Sequence, residues 1–571
     1  MSNLEVLEAA ARRWRAFDPD PETRSAIDSL LSGGDAAALE AAFGSRLQFG
    51  TAGIRGTLGP GPGYVNRALV RAVSQGLCDY LHANVPEART RGIALGHDAR
   101  RGSADFAAEA ARAFVDAGFT VFLSPAESPT PLVAYSLLAH GAAAGVVVTA
   151  SHNPPEYNGY KVYWENGAQI IPPHDVGIAA AIDRVITAGC PDRGVHGGRV
   201  VPVDDRAAYV AAVAEQCSRA LPGVSGPGPS AVYTPLHGVG AELCEAVVAA
   251  QDVEVHTVAS QRAPDGAFPT VRFPNPEEAG ALDEAEALLR STGAQLLLAN
   301  DPDADRLAAG WVGPGGLHKF TGDELGALFA DALLEARGRD RNLAERAFVG
   351  RSMVSSELLD RIAAHWGAAV VETLTGFKWL WNEGVRRTQA GETYVFAYEE
   401  ALGYSVGPIV RDKDGIGAAA MLARISRIGP LAERLERIYA RHGFFATRQK
   451  SVSDASPGGL ARLQAAVVGL ARRPPAAVTG LAVVRAVDFQ APGGRLPPTE
   501  GVGLWLEDGT RVLVRPSGTE PKIKIYLQLV ETWGTGCRER ANVRLDAVER
   551  ELVGLVRPAP IGSAGGVPQR G

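Results

Sequence analysis

Three aspartates stand at alternate positions directly after an apolar run, in the segment Ala299-Asn-Asp-Pro-Asp-Ala-Asp-Arg306, here called the aspartate loop. Alternate side chains of an extended chain share a face, and a loop at the end of a strand can fold all three carboxylates around one ion. Hard divalent cations prefer such oxygen ligands, so Asp301, Asp303 and Asp305 are candidate metal ligands. The alternative is a solvated acidic loop that caps a strand.

Three familiar ligand-binding loop motifs are absent from the sequence or fail on closer comparison. An EF-hand needs glycine at its sixth position and glutamate at its twelfth, where this chain has arginine and valine. The sequence holds no Gly-Lys dipeptide, which excludes a phosphate-binding loop of the Walker type. Gly415, Gly417 and Ala420 have the spacing of a dinucleotide fingerprint, but a charged run at 411–414 precedes them where an apolar strand is required.

A second segment, Val146 to Lys161, places Ser151 and His152 just beyond another apolar run, and we call residues 149–157 the serine loop. Ligands bind at the ends of strands in open α/β sheets, so a nucleophilic serine here is chemically plausible. A Ser-His pair alone is weak evidence, because neighbouring side chains point in different directions in most backbones and the glycine-flanked hydrolase elbow is absent. A structural turn remains the alternative.

A third segment, Val514-Arg-Pro-Ser-Gly-Thr-Glu-Pro-Lys-Ile-Lys524, combines an arginine, two hydroxyls, a glycine and two lysines. We call it the arginine loop. A phosphate oxyanion requires directed hydrogen-bond donors and positive charge, and this segment can supply both. The alternative is a polar turn between two strands.

The elements that would position these segments follow a repeated α/β pattern. Apolar runs at 92–95, 121–123 and 146–148 alternate with helical stretches, and the alternation recurs at 231–299 and at 347–397. This pattern predicts three consecutive α/β domains with mixed sheets. The last part of the chain differs, with a hairpin over 504–514, then a strand at 523–530 and a helix at 543–555. It predicts a smaller C-terminal α+β domain. We expect the four domains to be arranged around a central cleft.

We expect the following divisions of the chain: an N-terminal helical extension at 1–45, then domains at 46–212, 213–325, 326–447 and 448–557, and a disordered tail at 558–571. The extension has helical spacing from Leu4 to Phe43, interrupted near Asp18 and at Gly33-Gly34. This spacing predicts two helices.

The composition limits the possible partners and compartments. The chain has 571 residues, of which 46% are hydrophobic and 21% charged, and its formal net charge of -7 argues against nucleic acid as a partner. No apolar run approaches the length of about 18 residues that a membrane span needs. The five cysteines are scattered and unpaired in sequence, which is typical of reduced structural thiols. We therefore expect a cytoplasmic monomer or dimer.

A hydroxyl nucleophile, a triple-aspartate metal loop and a phosphate cradle, each on a different domain, favour phosphoryl transfer. In their order and residues these motifs resemble the α-D-phosphohexomutase superfamily of phosphoglucomutases and phosphomannomutases. They are most similar to its branch that includes phosphoglucomutase 2 and phosphopentomutase. The similarity runs from about Phe49 to about Tyr526.

The resemblance implies that Ser151 carries a phosphate and, with the three aspartates, ligates Mg²⁺, and that glucose 1,6-bisphosphate or an equivalent sugar bisphosphate acts as primer. It assigns four further residues to the reacting centre, with Lys161 as a candidate acid/base group: Arg55, His152, Lys161 and Arg306. It assigns these residues to binding of the sugar phosphate: Thr375, Gly376, Lys378, Glu399, Glu400, Arg515, Ser517, Gly518 and Thr519. The chain departs from the family at Ala401, where a serine is usual, and this leaves the preferred sugar open.

The activity that the resemblance implies is interconversion of glucose 1-phosphate and glucose 6-phosphate, with mannose phosphates as further substrates. Two alternatives keep the chemistry: a phosphopentomutase, and a synthase of glucose 1,6-bisphosphate. A third, a non-catalytic sugar-phosphate sensor, is disfavoured because the serine, the three aspartates and the arginines near both phosphates are all present.

Overall fold

The computed structural model describes residues 2–50, 53–191, 194, 197–226, 228–338, 346–454, 456, 458–516 and 522–557. These residues form two compact units. The first contains the chain up to Ser352 together with Ala363–Glu433. The second contains Met353–Ile362 and the chain from Arg434 onward.

The N-terminal extension forms three helices, so the prediction of two was wrong. They are α1 (Asn3–Phe17), α2 (Pro21–Gly33) and α3 (Ala36–Phe43). The glycine pair ends α2 because Gly34 adopts a left-handed backbone, with φ of 64°. Asp35 then caps a new helix, since its carboxylate accepts hydrogen bonds from two backbone N–H groups of the first turn of α3.

The first sheet has six strands in the order β1-β5-β4-β2-β3-β6. Its strands are β1 (Ile54–Thr57), β2 (Ile93–His97), β3 (Thr120–Leu123), β4 (Ala144–Val148), β5 (Tyr157–Trp164) and β6 (Arg199–Pro202). The helices along this part of the chain are α4 (Arg67–Asn84), α5 (Ala88–Arg91), α6 (Ser103–Asp116), α7 (Thr130–Ala139), α8 (His174–Thr187) and α9 (Arg206–Ala220). The predicted strands β2, β3 and β4 are confirmed, and they pair in parallel. The antiparallel strands β1 and β5 carry polar and aromatic residues rather than apolar runs, and were not predicted.

The second sheet has the order β11-β10-β9-β7-β8. Its strands are β7 (Ala231–Thr234), β8 (Val255–Thr257), β9 (Leu296–Ala299), β10 (Ala308–Gly313) and β11 (Gly316–Lys319). The helices along this part of the chain are α10 (Ala241–Ala249), α11 (Ala259–Arg262), α12 (Asp283–Thr292) and α13 (Gly322–Gly338). Because β9 and β10 pair as an antiparallel hairpin with Ala308 opposite Ala299, the aspartate loop is the connection of that hairpin.

The third sheet has four strands in the order β13-β12-β14-β15. Its strands are β12 (Ala347–Ser352), β13 (Ala369–Thr373), β14 (Thr393–Glu399) and β15 (Gly403–Val406). The helices along this part of the chain are α14 (Leu358–Trp366), α15 (Phe377–Gln389), α16 (Gly415–Ser426) and α17 (Leu431–His442). Glu399 pairs with Gly403 at the end of the β14–β15 hairpin, and we call residues 399–403 the glutamate loop.

The fourth sheet is antiparallel throughout, in the order β16-β21-β20-β19-β18-β17. Its strands are β16 (Phe444–Ser453), β17 (Ala477–Val478), β18 (Leu481–Asp488), β19 (Val502–Leu506), β20 (Arg511–Pro516) and β21 (Lys522–Glu531). The helices here are α18 (Gly459–Arg472) and α19 (Cys537–Val556). Three α/β domains followed by a smaller α+β domain are therefore confirmed.

Several other expectations concern single features. The five cysteines are buried and stand outside disulfides, as predicted. Among the described residues, no helix combines the length and the apolar character that a membrane crossing needs. The predicted disordered tail at 558–571 lies outside the described residues. The exact boundaries between the domains stay a prediction.

Candidate active site

The three carboxylates of the aspartate loop converge in a buried position. One oxygen from each of Asp301, Asp303 and Asp305 lies within 4.8 Å of the others, and none of these residues exceeds 1% exposure. The Oδ1 atoms of Asp303 and Asp305 are buried without a hydrogen-bond partner. Because a buried carboxylate oxygen without a partner is costly, these atoms fit a bound divalent cation, which would satisfy them.

The serine loop reaches the same place from the carboxyl end of β4. The Ser151 hydroxyl donates a hydrogen bond of 2.7 Å to Asp301 Oδ2, across 150 positions of sequence. The same Oγ lies 3.1 Å from His152 Nδ1. Ser151 has a φ of 53°, a left-handed backbone that is uncommon outside glycine, and its N–H bonds to the Thr149 hydroxyl. The neighbouring serine and histidine side chains therefore do meet, in a backbone that most residues avoid.

Lys161 on β5 lies against the aspartates. Its Nζ donates to Asp303 Oδ2 at 2.6 Å and to Asp305 Oδ2 at 2.8 Å, and the side chain is almost fully buried. Burial alone would lower the pKa of Lys161, but the two carboxylates more than reverse this effect and raise the pKa above its ordinary value. Lys161 therefore carries a proton at neutral pH.

The three aspartates do not titrate alike. Burial and the charges of Asp303 and Asp305 raise the pKa of Asp301. Burial also acts on Asp303, but the Lys161 ammonium outweighs it and holds the pKa of Asp303 below its usual range. The pKa of Asp305 is likewise lowered, against burial and the charge of Asp303, by nearby cations. Three carboxylates this close resist being charged together, so a cation among them would relieve the repulsion.

The other residues predicted at the reacting centre surround the serine and aspartate loops. Arg55, exposed on β1, donates to Asn153 Oδ1 at 3.1 Å. The Arg306 backbone N–H donates to Asp301 Oδ1 at 3.0 Å. Burial and the charges of Arg306 and Arg55 hold the pKa of His152 well below its ordinary value, so the imidazole is neutral at pH 7.

In the third domain, the buried Glu399 accepts a hydrogen bond from the Gly376 backbone N–H, at 2.6 Å from Oε1. Burial raises the pKa of Glu399. Gly376 has a φ of 117°, which only glycine adopts readily, and it caps the start of α15. Thr375 and Lys378 flank this glycine, so the structure gathers four of the predicted sugar-binding residues around one turn.

Glu400 is half-buried, and its Oε2 accepts a hydrogen bond from the Ser352 hydroxyl at 3.2 Å. Two residues later the Leu402 carbonyl accepts from the Leu307 N–H at 3.1 Å. Leu307 directly follows the aspartate loop, so a backbone hydrogen bond joins the aspartate loop to the glutamate loop.

The arginine loop belongs to the second compact unit. Arg515 lies on β20, opposite Lys524 on β21. The other three predicted phosphate-binding residues, Ser517, Gly518 and Thr519, lie outside the described residues.

Two residues that touch the aspartates were not predicted from the sequence. The Thr130 hydroxyl, at the start of α7, donates to Asp303 Oδ2 at 2.7 Å. The Lys413 ammonium lies 3.4 Å from Asp305 Oδ2. Lys413 stands in the charged run at 411–414, whose unusual position before an Ala-rich helix was a usable signal, whereas nothing in the sequence around Thr130 indicates its contact.

Models of four domains match the chain, each described as phosphoglucomutase/phosphomannomutase. The first three, α/β/α domains I, II and III, match residues 46–188, 207–310 and 321–442. The C-terminal domain model matches residues 467–531. Together they cover more than half of the chain in the expected order.

Curated relatives match most of the chain. The "Probable phosphoribomutase" of Schizosaccharomyces pombe is 35% identical over 91% of this chain and 93% of its own length. The "Phosphopentomutase" of Mus musculus is 33% identical over 96% of this chain and 94% of its own. The "Probable phosphomannomutase" of Haemophilus influenzae is 37% identical over 81% of this chain and 92% of its own.

A solved phosphoglucomutase/phosphomannomutase family protein from Burkholderia thailandensis has the same fold, with a TM-score of 0.66 at 20% identity, over 90% of this chain and 99% of that one. With four domains and the convergent aspartates, these matches establish the class: the chain belongs to the phosphoglucomutase/phosphomannomutase family of the α-D-phosphohexomutase superfamily. It is a phosphomutase, an isomerase that transfers a phosphoryl group within its substrate.

Proposed function

We propose that this phosphomutase interconverts a sugar 1-phosphate and the sugar phosphorylated at its terminal hydroxyl, with Ser151 as the carrier of the phosphoryl group. The observation that supports this most directly is the hydrogen bond from Ser151 Oγ to Asp301 Oδ2, inside the cluster of three buried aspartates. A hydroxyl in that position can present a phosphate to a cation and to a bound sugar.

The proposed reaction has two transfers. In the first, the bond between phosphorus and Ser151 Oγ breaks, a bond between phosphorus and the free sugar hydroxyl forms, and that hydroxyl loses its proton. The sugar bisphosphate then turns over. In the second transfer, its other phosphoryl group moves to Ser151 Oγ, and the sugar oxygen left behind takes up a proton. Since the serine ends as it began, a trace of sugar bisphosphate is sufficient as primer.

Asp301, Asp303 and Asp305 are proposed to hold Mg²⁺, together with the phosphate on Ser151. The convergence of hard oxygen ligands and the two carboxylate oxygens without partners support this assignment. When bound, the cation supplies neutralisation of the charge on the moving phosphoryl group.

The surrounding cations are proposed to act on the same group. Arg55 and Arg306 provide permanent positive charge near Ser151. Lys161 keeps its proton because of its carboxylate partners, so it is proposed to donate a hydrogen bond to a sugar oxygen rather than to remove a proton. His152 is neutral and can therefore accept a hydrogen bond from the serine hydroxyl.

For the sugar, we propose pentose phosphates as the preferred substrates, because two relatives matched over more than nine-tenths of this chain are named for pentose or ribose phosphates. The glucose phosphates predicted from the sequence are the second candidate. They are favoured by the similarity to a protein named for mannose, which like glucose is a hexose, and by the acidic pair Glu399-Glu400, which can accept hydrogen bonds from ring hydroxyls.

The first test is Ser151→Ala, with the exposed Ser25→Ala on α2 as matched control. After incubation with glucose 1,6-bisphosphate and Mg²⁺, intact mass should show one added phosphoryl group in the wild type and in Ser25→Ala, and none in Ser151→Ala. Mutase turnover should be lost only in Ser151→Ala. Turnover equal to the wild type in that variant would refute the proposed carrier.

The second test compares kcat/KM for ribose 1-phosphate and glucose 1-phosphate, each with its own bisphosphate as primer. A higher value for ribose supports the pentose assignment, and a higher value for glucose replaces it with the hexose one. A synthase of glucose 1,6-bisphosphate would instead accumulate bisphosphate from glucose 1-phosphate and a second phosphoryl donor, without net isomerisation.

A further inference from the structure

One buried arginine, Arg100, contacts the backbone of the serine loop at four points. Its Nη2 donates to the carbonyl oxygens of Ser151, at 2.5 Å, and Asn153. Its Nη1 donates to the carbonyl oxygens of Pro154, at 2.8 Å, and Tyr157, at 3.2 Å. We call this arrangement the carbonyl clamp. The guanidinium is planar and has several donors in a rigid fork, so no other side chain can make these four bonds from one position.

The carbonyl clamp acts on a backbone that needs support. Ser151 holds a φ of 53°, and residues in that region are kept there only by surrounding structure. Apart from the clamp, the Ser151 backbone is held by its N–H bond to the Thr149 hydroxyl. Arg100 therefore contributes directly to the conformation that aims the Ser151 hydroxyl at Asp301.

Asp98 holds the arginine in place through an ion pair and a backbone hydrogen bond. Its Oδ2 lies 3.3 Å from Arg100 Nε, and its Oδ1 accepts from the Arg100 backbone N–H at 3.0 Å and from the Ser103 hydroxyl at 2.6 Å. Both charged side chains are almost fully buried. Both terminal nitrogens of this buried arginine donate to backbone carbonyls, and one carboxylate balances its charge. Such an arrangement suits positioning rather than binding of solvent or an anion.

A turn of the second domain covers the other face of the guanidinium. The Phe268 ring stacks on it, with Cζ 4.9 Å from the ring centre. Two residues earlier, Gly266 lies so close that a Cβ there would come within 2.6 Å of the Ala99 carbonyl oxygen and 2.7 Å of Arg100 Cα. The serine loop and the domain that carries the aspartate loop are thus joined through Arg100.

We propose that Arg100 is a positioning residue for the phosphoryl transfer: through the carbonyl clamp it holds the serine loop in its left-handed conformation, and through Phe268 it aligns that loop with the aspartate loop. This role rests on the proposed function only in its kinetic consequence. The ordering of the loop is a property of the protein without substrate.

The test uses Arg100→Lys, with the exposed Arg112→Lys on α6 as matched control. A lysine keeps the charge but cannot bond four carbonyls, so amide hydrogen exchange should accelerate in peptides covering residues 149–157 and stay at the wild-type rate in α6. Turnover should fall about 10- to 100-fold with KM nearly unchanged, because a small displacement of a reacting group has that cost. Wild-type exchange in the serine loop of Arg100→Lys would overturn the proposal.

Two further measurements separate positioning from general stability. In Arg100→Ala, free guanidinium at millimolar concentration should restore turnover, whereas an equal concentration of sodium chloride should not. Phe268→Leu should accelerate exchange in the serine loop by a smaller factor.

If both Arg100 variants fail to fold, Phe268→Leu decides, and wild-type exchange in the serine loop of that variant overturns the proposal. Exchange that rises equally throughout the first sheet would show a structural role only. If the wild type lacks mutase activity, the proposed function fails while the exchange result still stands.

Discussion

Two groups of buried carboxylates lie in the first compact unit, and they differ in whether every carboxylate oxygen has a partner. In the aspartate loop, Asp303 and Asp305 are held by the Lys161 ammonium, and each keeps one oxygen without a hydrogen-bond partner. In the run before α16, Asp412 Oδ2 accepts from the Tyr163 hydroxyl and the Gln169 amide, both at 2.6 Å. Its Oδ1 accepts from the Lys413 backbone N–H at 2.8 Å and lies 3.6 Å from the Lys413 ammonium.

Asp414 follows the second pattern. It accepts from the Tyr209 hydroxyl and the Gly417 N–H, each at 2.7 Å, and caps α16. Both donors are neutral, and neither oxygen of Asp414 is among the buried atoms that lack a hydrogen-bond partner. The comparison teaches that burial of an acid does not by itself mark a functional site. The mark is the convergence of three carboxylates, two of which each keep an oxygen without a hydrogen-bond partner.

We call the aspartate loop carboxylates the open group, and Asp412 with Asp414 the satisfied group. The largest expected effect is on the open group. Asp303→Asn removes one charge from the proposed metal ligands, and turnover should fall by at least about 100-fold, since a metal supplies several kcal/mol of charge stabilisation. Asp414→Asn is the matched variant in the satisfied group, and its turnover should change by less than about 10-fold. Steady-state assays with Mg²⁺ in excess measure both. Similar losses in the two variants would erase the distinction.

Magnesium should stabilise the protein through the open group alone. A ligand at about 100 times its Kd stabilises the folded state by about 2.7 kcal/mol, so thermal unfolding should move to higher temperature on addition of Mg²⁺ and return on addition of a chelator. Asp303→Asn should lose most of this shift, and Asp414→Asn should keep it. A shift that survives in Asp303→Asn would place the ion elsewhere.

In the satisfied group, the loss of one neutral donor should cost stability and leave metal binding intact. Tyr209→Phe removes a hydroxyl from a buried carboxylate, which should lower the free energy of unfolding by about 1–3 kcal/mol. Urea unfolding of the two single variants and the double variant with Asp414→Asn forms a cycle. An equal cost of Tyr209→Phe in both backgrounds would mean that the hydroxyl does not act through Asp414.

The smallest expected effect is a pH dependence in the satisfied group. Burial raises the pKa of Asp414 from 3.8 to about 6, so the protonated form favours the folded state. Its contribution to stability is complete below pH 3.8 and is lost as the pH rises through about 6. Relative to Asp414→Asn, the wild type should therefore lose about 1 kcal/mol of stability between about pH 5 and about pH 7.5. A constant difference between the two proteins would contradict this.

The sequence was sufficient to predict the candidate metal ligands, because their spacing alone indicates a shared ion. Asp301, Asp303 and Asp305 stand at alternate positions after an apolar strand, and the structure brings Ser151 to them as the motifs indicated. The parallel strands of the three α/β domains were also predictable, because each is a short apolar run between helical stretches.

The remainder depended on contacts between distant parts of the chain. Thr130 meets Asp303 across 173 positions, and Arg100 meets the serine loop across more than 50, so no local pattern carries either contact. The antiparallel strand β5 was missed because its sequence is polar and aromatic and shows no alternation of apolar and polar residues. Its residues are nevertheless almost all buried, because it has a neighbouring strand on each side. The third N-terminal helix could have been predicted from the sequence, because the glycine pair ends one helix and the aspartate after it is a favourable cap for the next.

The left-handed backbone at Ser151 also decides which alcohol the active site can use. Threonine offers the same hydroxyl and is a nucleophile in other enzymes. Its Cβ carries an additional methyl group, and a β-branched residue is a genuine outlier at a φ of 53°. The fold therefore selects serine over threonine on steric grounds, before any question of reactivity arises.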